Sequence, residues 1–320
     1  MKGKANKYIK ILGNIITVIA IVFVIKRLMS SGYDYSQLFV AKNIIPILTI
    51  VIVQSVMVIT NAFPWKLLIE MLTDRKVPFG ETIPVYVMAN LMKYVPGNVF
   101  QYVGRNQIAV KNKLPHLQVA TATVLDVGMT VLAAALISIF FLFDYIMKFI
   151  QNSDWMRVVA FAFLVVGIVV VLFLIIFRKK IATKFKKYHY LMSAKSLKTI
   201  FVALVYYIIV LMISSLMYLI VVVFILDTPL TARVFLQLFS AYTLAWLVGF
   251  ITPGAPGGIG VKEAVMLGVT GGYLGVDVIT LSMVIIRILL IIADCVAFAM
   301  GKTYEYIKKK KEENENASYS

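Results

Sequence analysis

Long apolar runs separated by short basic segments dominate the chain. Near-continuous runs cover 9–25, 44–64, 118–143, 157–177, 199–226 and 277–301. A helix of about 20 apolar residues crosses the ~30 Å hydrocarbon core of a bilayer. The pattern therefore predicts an all-α, polytopic integral membrane protein. Three further apolar stretches are interrupted. The stretch 81–103 is broken by Pro96-Gly97, and 234–251 and 260–275 flank the Pro- and Gly-rich run from Thr252 to Gly260. Proline cannot continue a helix, and irregular backbone at membrane depth needs protein or water around it. We read 81–103 as a re-entrant hairpin and 234–275 as two half-helices or short spans around a break. The expected total is about 7–9 membrane segments.

Composition supports this reading. The chain is 61% hydrophobic and 15% charged, with mean hydropathy +0.90, whereas a soluble domain is nearer half apolar and a quarter charged. Residues 1–301 form one transmembrane domain, and the polar tail 302–320 is expected to be disordered. The N-terminal run lacks a small-residue cleavage site and is read as a retained first span. One cysteine, Cys295, and two histidines, His116 and His189, give neither an internal disulfide nor metal-ligand spacing. No metal or cofactor is expected.

The net charge of +17 fits topology better than nucleic-acid binding. With the N-terminus inside, Lys and Arg concentrate in the tail 1–10, in the loops 65–80, 104–117 and 178–198, and in the C-terminal tail. The opposite side holds Lys26, Arg27, Lys42, Lys148, Arg157 and Arg233. This asymmetry predicts cytoplasmic N- and C-termini and a plasma-membrane location, with 81–103 returning to the side it entered.

Ionisable groups inside membrane segments carry the candidate chemistry, because each costs about 2.5–3.5 kcal/mol at mid-bilayer unless paired or wet. Lys262 and Glu263 follow the second break. There Gly257, Gly258 and Gly260 permit close approach of a ligand or backbone, and a helix starting near Gly260 would favour an anion. The bland alternative is a tight turn with Glu263 as its cap. The first break holds Lys93, Pro96, Gly97, Asn98, Gln101 and Arg105, with Asn90 and Tyr102 nearby. An interfacial helix with snorkelling cations is the alternative there. Arg287 and Asp294, two turns apart on one helix face, form a seam paired to other helices, and Asp126 is a partner for a cation. The tryptophans and many tyrosines read as interface anchors or packing. If 81–103 enters from inside and 234–275 from outside, the two breaks form an inverted pair, as at transport sites between repeats.

At these breaks the residues follow a known pattern. Tyr94-Val95-Pro96-Gly97, then Gly104-Arg105, and downstream Pro256-Gly257-Gly258-Ile259-Gly260-Val261-Lys262-Glu263, resemble the membrane domain of lysylphosphatidylglycerol synthases, the flippase-like domain family. The resemblance covers nearly the whole chain in span layout and motif order. The sequence departs from the family pattern at Asn98, where many relatives are basic, and at Lys262, where many have Arg. The resemblance implies a flippase-like part without the cytosolic domain that transfers lysine from lysyl-tRNA. It also implies a contribution to surface charge and resistance to cationic peptides.

Two functions follow as expectations. The first is translocation of an anionic or aminoacylated phospholipid, or of another lipid-linked headgroup. Arg105 and Lys93 would hold the phosphate, Glu263 would engage a cationic headgroup or a proton, and Asp126, Arg287 and Asp294 would line the path. No Gly-x-x-x-x-Gly-Lys-Ser/Thr motif is present, so energy would come from a gradient or from none. The second is a lipid-modifying enzyme of lysyltransferase type, or its membrane subunit, working with a separately encoded soluble synthase or glycosyltransferase. A purely structural membrane partner is a third reading. No direct nucleic-acid partner is expected, and self-association into a homo-oligomer is left open.

Overall fold

The computed structural model describes residues 40–73, 75–94, 100–111, 114–151, 193–252, 258 and 260–318. The expected spans 9–25 and 157–177 lie outside these residues, as do Pro96, Gly97, Asn98 and Gly257. Among the described residues every regular element is helical. In chain order they are α1 (Ala41–Thr60), α2 (Ala62–Thr73), α3 (Phe79–Asn90) with a 3-10 turn (Leu91–Tyr94), α4 (Phe100–Lys111), α5 (His116–Gln151), α6 (Ala194–Ile220) with a π-turn (Val221–Ile225), α7 (Ala232–Ile251), α8 (Val261–Thr270) and α9 (Val276–Ser318).

Five segments are long and apolar enough to cross a membrane: Ala41–Thr73, His116–Leu142, Ala194–Ile225, Ala232–Ile251 and Val276–Lys308. Less than half of each apolar stretch is buried inside the protein. Large side chains such as Ile45, Val124, Phe140 and Phe201 face outward, at 65–78% exposure. A surface this apolar fits hydrocarbon as its solvent. The buried side is more mixed. Trp65 is fully buried and donates its indole N–H to Thr123 Oγ1 at 3.0 Å, so its role is packing.

Local chemistry sets the helix ends. Ser193 caps α6 by accepting the Ser196 N–H at 3.2 Å, and Thr231 caps α7 through the Val234 N–H at 3.4 Å. Glu263 reaches back to accept the Gly260 N–H at 2.8 Å, closing the first turn of α8. By length at 1.5 Å per residue, α3 and α4 are each about 18 Å long and α8 about 15 Å. None of the three spans a bilayer alone.

Packing fixes the relative directions. Ser55 Oγ lies 3.0 Å from Ala293 O, and Val58 packs with Ala297, so α1 runs parallel to α9. Tyr304 lies over Gly80, Val87 packs on Gly301 and Asn90 bonds Asp294, so α3 runs antiparallel to α9. Gly104 lies against Met92 and Ala89, which folds α4 back along α3. Ser215 meets Thr243 at 2.8 Å, and Tyr218 stacks on Tyr242 while bonding Ser282 at 2.9 Å. These contacts set α7 antiparallel to α6 and place the end of α6 beside the start of α9.

The structure departs from sequence expectation at the C-terminus. Residues 302–318, expected to be disordered, continue α9. The stretch beyond Gly301 contains neither Pro nor Gly and is rich in the helix formers Lys and Glu. Lys308 also lies 3.7 Å from Glu81 near the start of α3.

Candidate charged site between two broken helix pairs

The turn after α3 supplies the first part of the site. Lys93 Nζ lies 2.6 Å from Asp294 Oδ2 on α9. Asn90 Nδ2 donates to Asp294 Oδ1 at 3.0 Å, and the Tyr94 hydroxyl donates to Oδ2. The Asp294 side chain is completely buried, and these three donors are what allow a carboxylate to sit there.

The start of α8 supplies the second part. Arg287 Nη2, one α9 face along from Asp294, lies 3.1 Å from Glu263 Oε1. The other Glu263 oxygen is held by the Gly260 amide. Lys262 stands beside this pair in electrostatic range of Arg287, Glu263 and Lys93. Its aliphatic stem occupies a slot formed by two glycines. A Cβ on Gly249 would come within 2.8 Å of Lys262 Cγ and 3.3 Å of the Gly258 Cα. Gly258 also has φ +74°, a conformation that favours glycine.

Arg287 is 10 residues from the start of the apolar run 277–301, and Asp294 is seven residues before its end. At 1.5 Å per residue these are about 15 and 10 Å from the two ends of that run, so both charges lie inside it. The α3/α4 pair reaches them from the end of α9 that carries Tyr304, and α8 returns from them to the start of α9. The two broken pairs thus approach from opposite ends of α9, with their tips at one group of charges. Three cations, Lys93, Lys262 and Arg287, face two carboxylates, Glu263 and Asp294.

A second buried cluster binds α4 to the long helices. Arg105 Nη1 lies 2.7 Å from Asp126 Oδ2 on α5, and the Tyr207 hydroxyl of α6 donates to Asp126 Oδ1. The guanidinium sits 3.7 Å from the centre of the Tyr86 ring and 5.3 Å from that of Tyr102. Arg105 and Asp126 are 3% and 2% exposed. The guanidinium that sequence reading assigned to a phosphate is therefore engaged by protein on both its edge and its face. Gln101 bonds Tyr102. Tyr102 meets Phe250 edge-on at 6.4 Å, and Phe250 stacks on Trp246 at 5.2 Å, so an aromatic chain joins this cluster to the end of α7.

Of the residues expected at the site, the structure gathers Lys93, Gly258, Gly260, Lys262, Glu263, Arg287 and Asp294. Arg105, Asp126 and Gln101 belong to the second cluster. Asn90 and Tyr94 emerge as ligands of Asp294, and Tyr86 and Tyr207 as partners of the Arg105–Asp126 pair. Asn90 and Tyr94 flank Lys93 in sequence, which was a usable signal. Tyr86 and Tyr207 carry none, because an aromatic in an apolar helix reads the same whether it packs or donates. Comparison of the chain with protein-family models, with curated proteins and with solved structures finds no match.

Proposed function

We propose that the protein moves a phospholipid, or another lipid carrying a phosphate headgroup, between membrane leaflets, with the headgroup passing through the charged site. The supporting observation is the group of five ionisable side chains gathered around Arg287 and Asp294 within the apolar run of α9, at the tips of two oppositely directed broken helix pairs. Charges at such depth cost about 2.5–3.5 kcal/mol each before pairing. Buried ion pairs seldom add stability over apolar packing, so stability alone is a poor reason to assemble them. Binding at the junction of inverted, broken helices is a recurrent solution for charged cargo.

In this reading α1 with α2, α5, α6 and α9 join the apolar runs 9–25 and 157–177 in six crossings, which keeps both termini on one side, and α7 with α8 forms a hairpin entered from the opposite face. The α3/α4 pair is re-entrant from the cytoplasm, and α8 lines the opposite approach. The basic end of α9, with Lys302 and Lys308 to Lys311, lies at the cytoplasmic face of the plasma membrane, and the outcome is altered lipid charge at the cell surface.

The test is leaflet accessibility of labelled phosphatidylglycerol, lysylphosphatidylglycerol and phosphatidylcholine in liposomes holding the full chain. The expected result is transfer of at least one of these lipids well above that in protein-free liposomes. Equal rates with and without inserted, folded protein would refute the reading.

A further inference from the structure

We infer that the site selects a monoanionic phosphodiester with an uncharged headgroup, that Lys262 is its anchor, and that an added ammonium on the lipid counts against binding. This rests on the translocation reading for its place in function, but its content comes from which charges are already satisfied.

The two carboxylates are both occupied. Asp294 takes Lys93, Asn90 and Tyr94, leaving no exposed side-chain surface. Glu263 takes Arg287 on one oxygen and the Gly260 amide on the other. A cationic headgroup would have to displace one of these donors. The role expected for Glu263, receiving an ammonium, is therefore poorly served by its surroundings.

Lys262 is in the opposite position. Among the described residues it makes no hydrogen bond or ion pair, while Arg287, Glu263 and Lys93 stand within electrostatic range. Its stem is confined between Gly249 and Gly258, so the ammonium is held in place rather than free to swing into water. Three positive and two negative charges leave one positive charge uncompensated. A single phosphodiester supplies one negative charge and oxygens that accept from an ammonium. A glycerol, polyol or sugar beyond the phosphate adds hydroxyls without charge. A lysyl ester or amine adds positive charge beside three cations, and like-charge juxtaposition in a low-dielectric site is costly.

The same chemistry would recognise a free phosphate, so the test separates the two sources. The full chain in detergent micelles is titrated calorimetrically with dihexanoyl phosphatidylglycerol, its lysyl ester, dihexanoyl phosphatidylcholine and inorganic phosphate. The expected order is phosphatidylglycerol tightest, with the lysyl ester and phosphatidylcholine at least tenfold weaker. Lys262→Gln should weaken phosphatidylglycerol at least tenfold with the melting temperature unchanged, and Lys262→Arg should restore part of the loss. Four results would overturn the inference: a lysyl ester that binds as tightly as phosphatidylglycerol, a folded Lys262→Gln protein with undiminished affinity, no saturable binding of phosphatidylglycerol, or inorganic phosphate binding tighter than the lipid. This readout needs no transport. A silent leaflet assay with the binding order intact would refute translocation alone, and transfer with the order reversed would refute this inference alone.

Discussion

Two aspartates show how a membrane interior handles charge at the scale of single residues. Asp126 and Asp294 are 2% and 1% exposed, and each is matched by one cation and at least one neutral donor. The difference lies in the cation. Arg105 is sealed between Asp126 and the Tyr86 ring, whereas the Lys93 side chain remains 29% exposed. The first arrangement is a clasp closed by protein, and the second leaves its cation partly exposed. Removing one partner of a buried pair leaves an uncompensated charge, worth about 3–5 kcal/mol. Asp126→Leu should accordingly lower the melting temperature sharply in detergent. Adding Arg105→Leu to it should recover most of the loss, since both charges are then gone. A double variant no more stable than the single one would mean that the clasp contributes more than charge matching. The sequence made both aspartates visible as buried ionisable groups, and the spacing of Arg287 and Asp294 showed that they share a face. It did not say which cation each aspartate takes, because partner choice depends on how separate helices pack, neighbouring ones for Arg105 and Asp126 and distant ones for Lys93 and Asp294.

At the scale of elements, the breaks and the close approach at α7 and α8 position the site. Pro96-Gly97 and the run to Gly260 mark both breaks in the sequence, and α3, α4 and α8 are correspondingly too short to span. Gly249 carried no such mark, since an isolated glycine in an apolar helix is common. Its meaning appears only when Lys262 and Gly258 lie against it. Alanine is the better helix former by about 1 kcal/mol, so propensity alone predicts that Gly249→Ala stabilises. Contacts at 2.8 and 3.1 Å to the Lys262 side chain predict the reverse, and we expect them to win, because the Gly258 backbone behind the lysine cannot move aside cheaply. Thermal unfolding of Gly249→Ala should fall below wild type, while Gly128→Ala, which meets nothing within 4 Å, should not. Equal melting temperatures would show that α8 is not held this tightly against α7. The tail of α9 gives a different lesson. Polarity suggested disorder, yet helix propensity and the approach of Lys308 to Glu81 extend the helix beyond the apolar region.

For the whole molecule, the relative directions of the helices carry the account. α1 runs with α9, α3 runs against it, and α7 runs against α6. This alternation is set by packing between distant segments, whereas the loop charges are local. It sets the α3/α4 and α7/α8 pairs tip to tip from opposite ends of α9, an arrangement for which the chain shows no obvious residue-level repeat. The site at their meeting point has one more positive charge than negative, and its two carboxylates are already satisfied by the protein. The most direct test of the central claim is the initial rate of phosphatidylglycerol transfer between leaflets in liposomes. Wild type would be compared with Lys262→Gln and Lys262→Arg at matched insertion and with native-like melting. The account predicts transfer by wild type, at least a tenfold loss in Lys262→Gln and partial recovery in Lys262→Arg. Undiminished transfer by the folded Lys262→Gln protein would contradict the placement of the headgroup at this site.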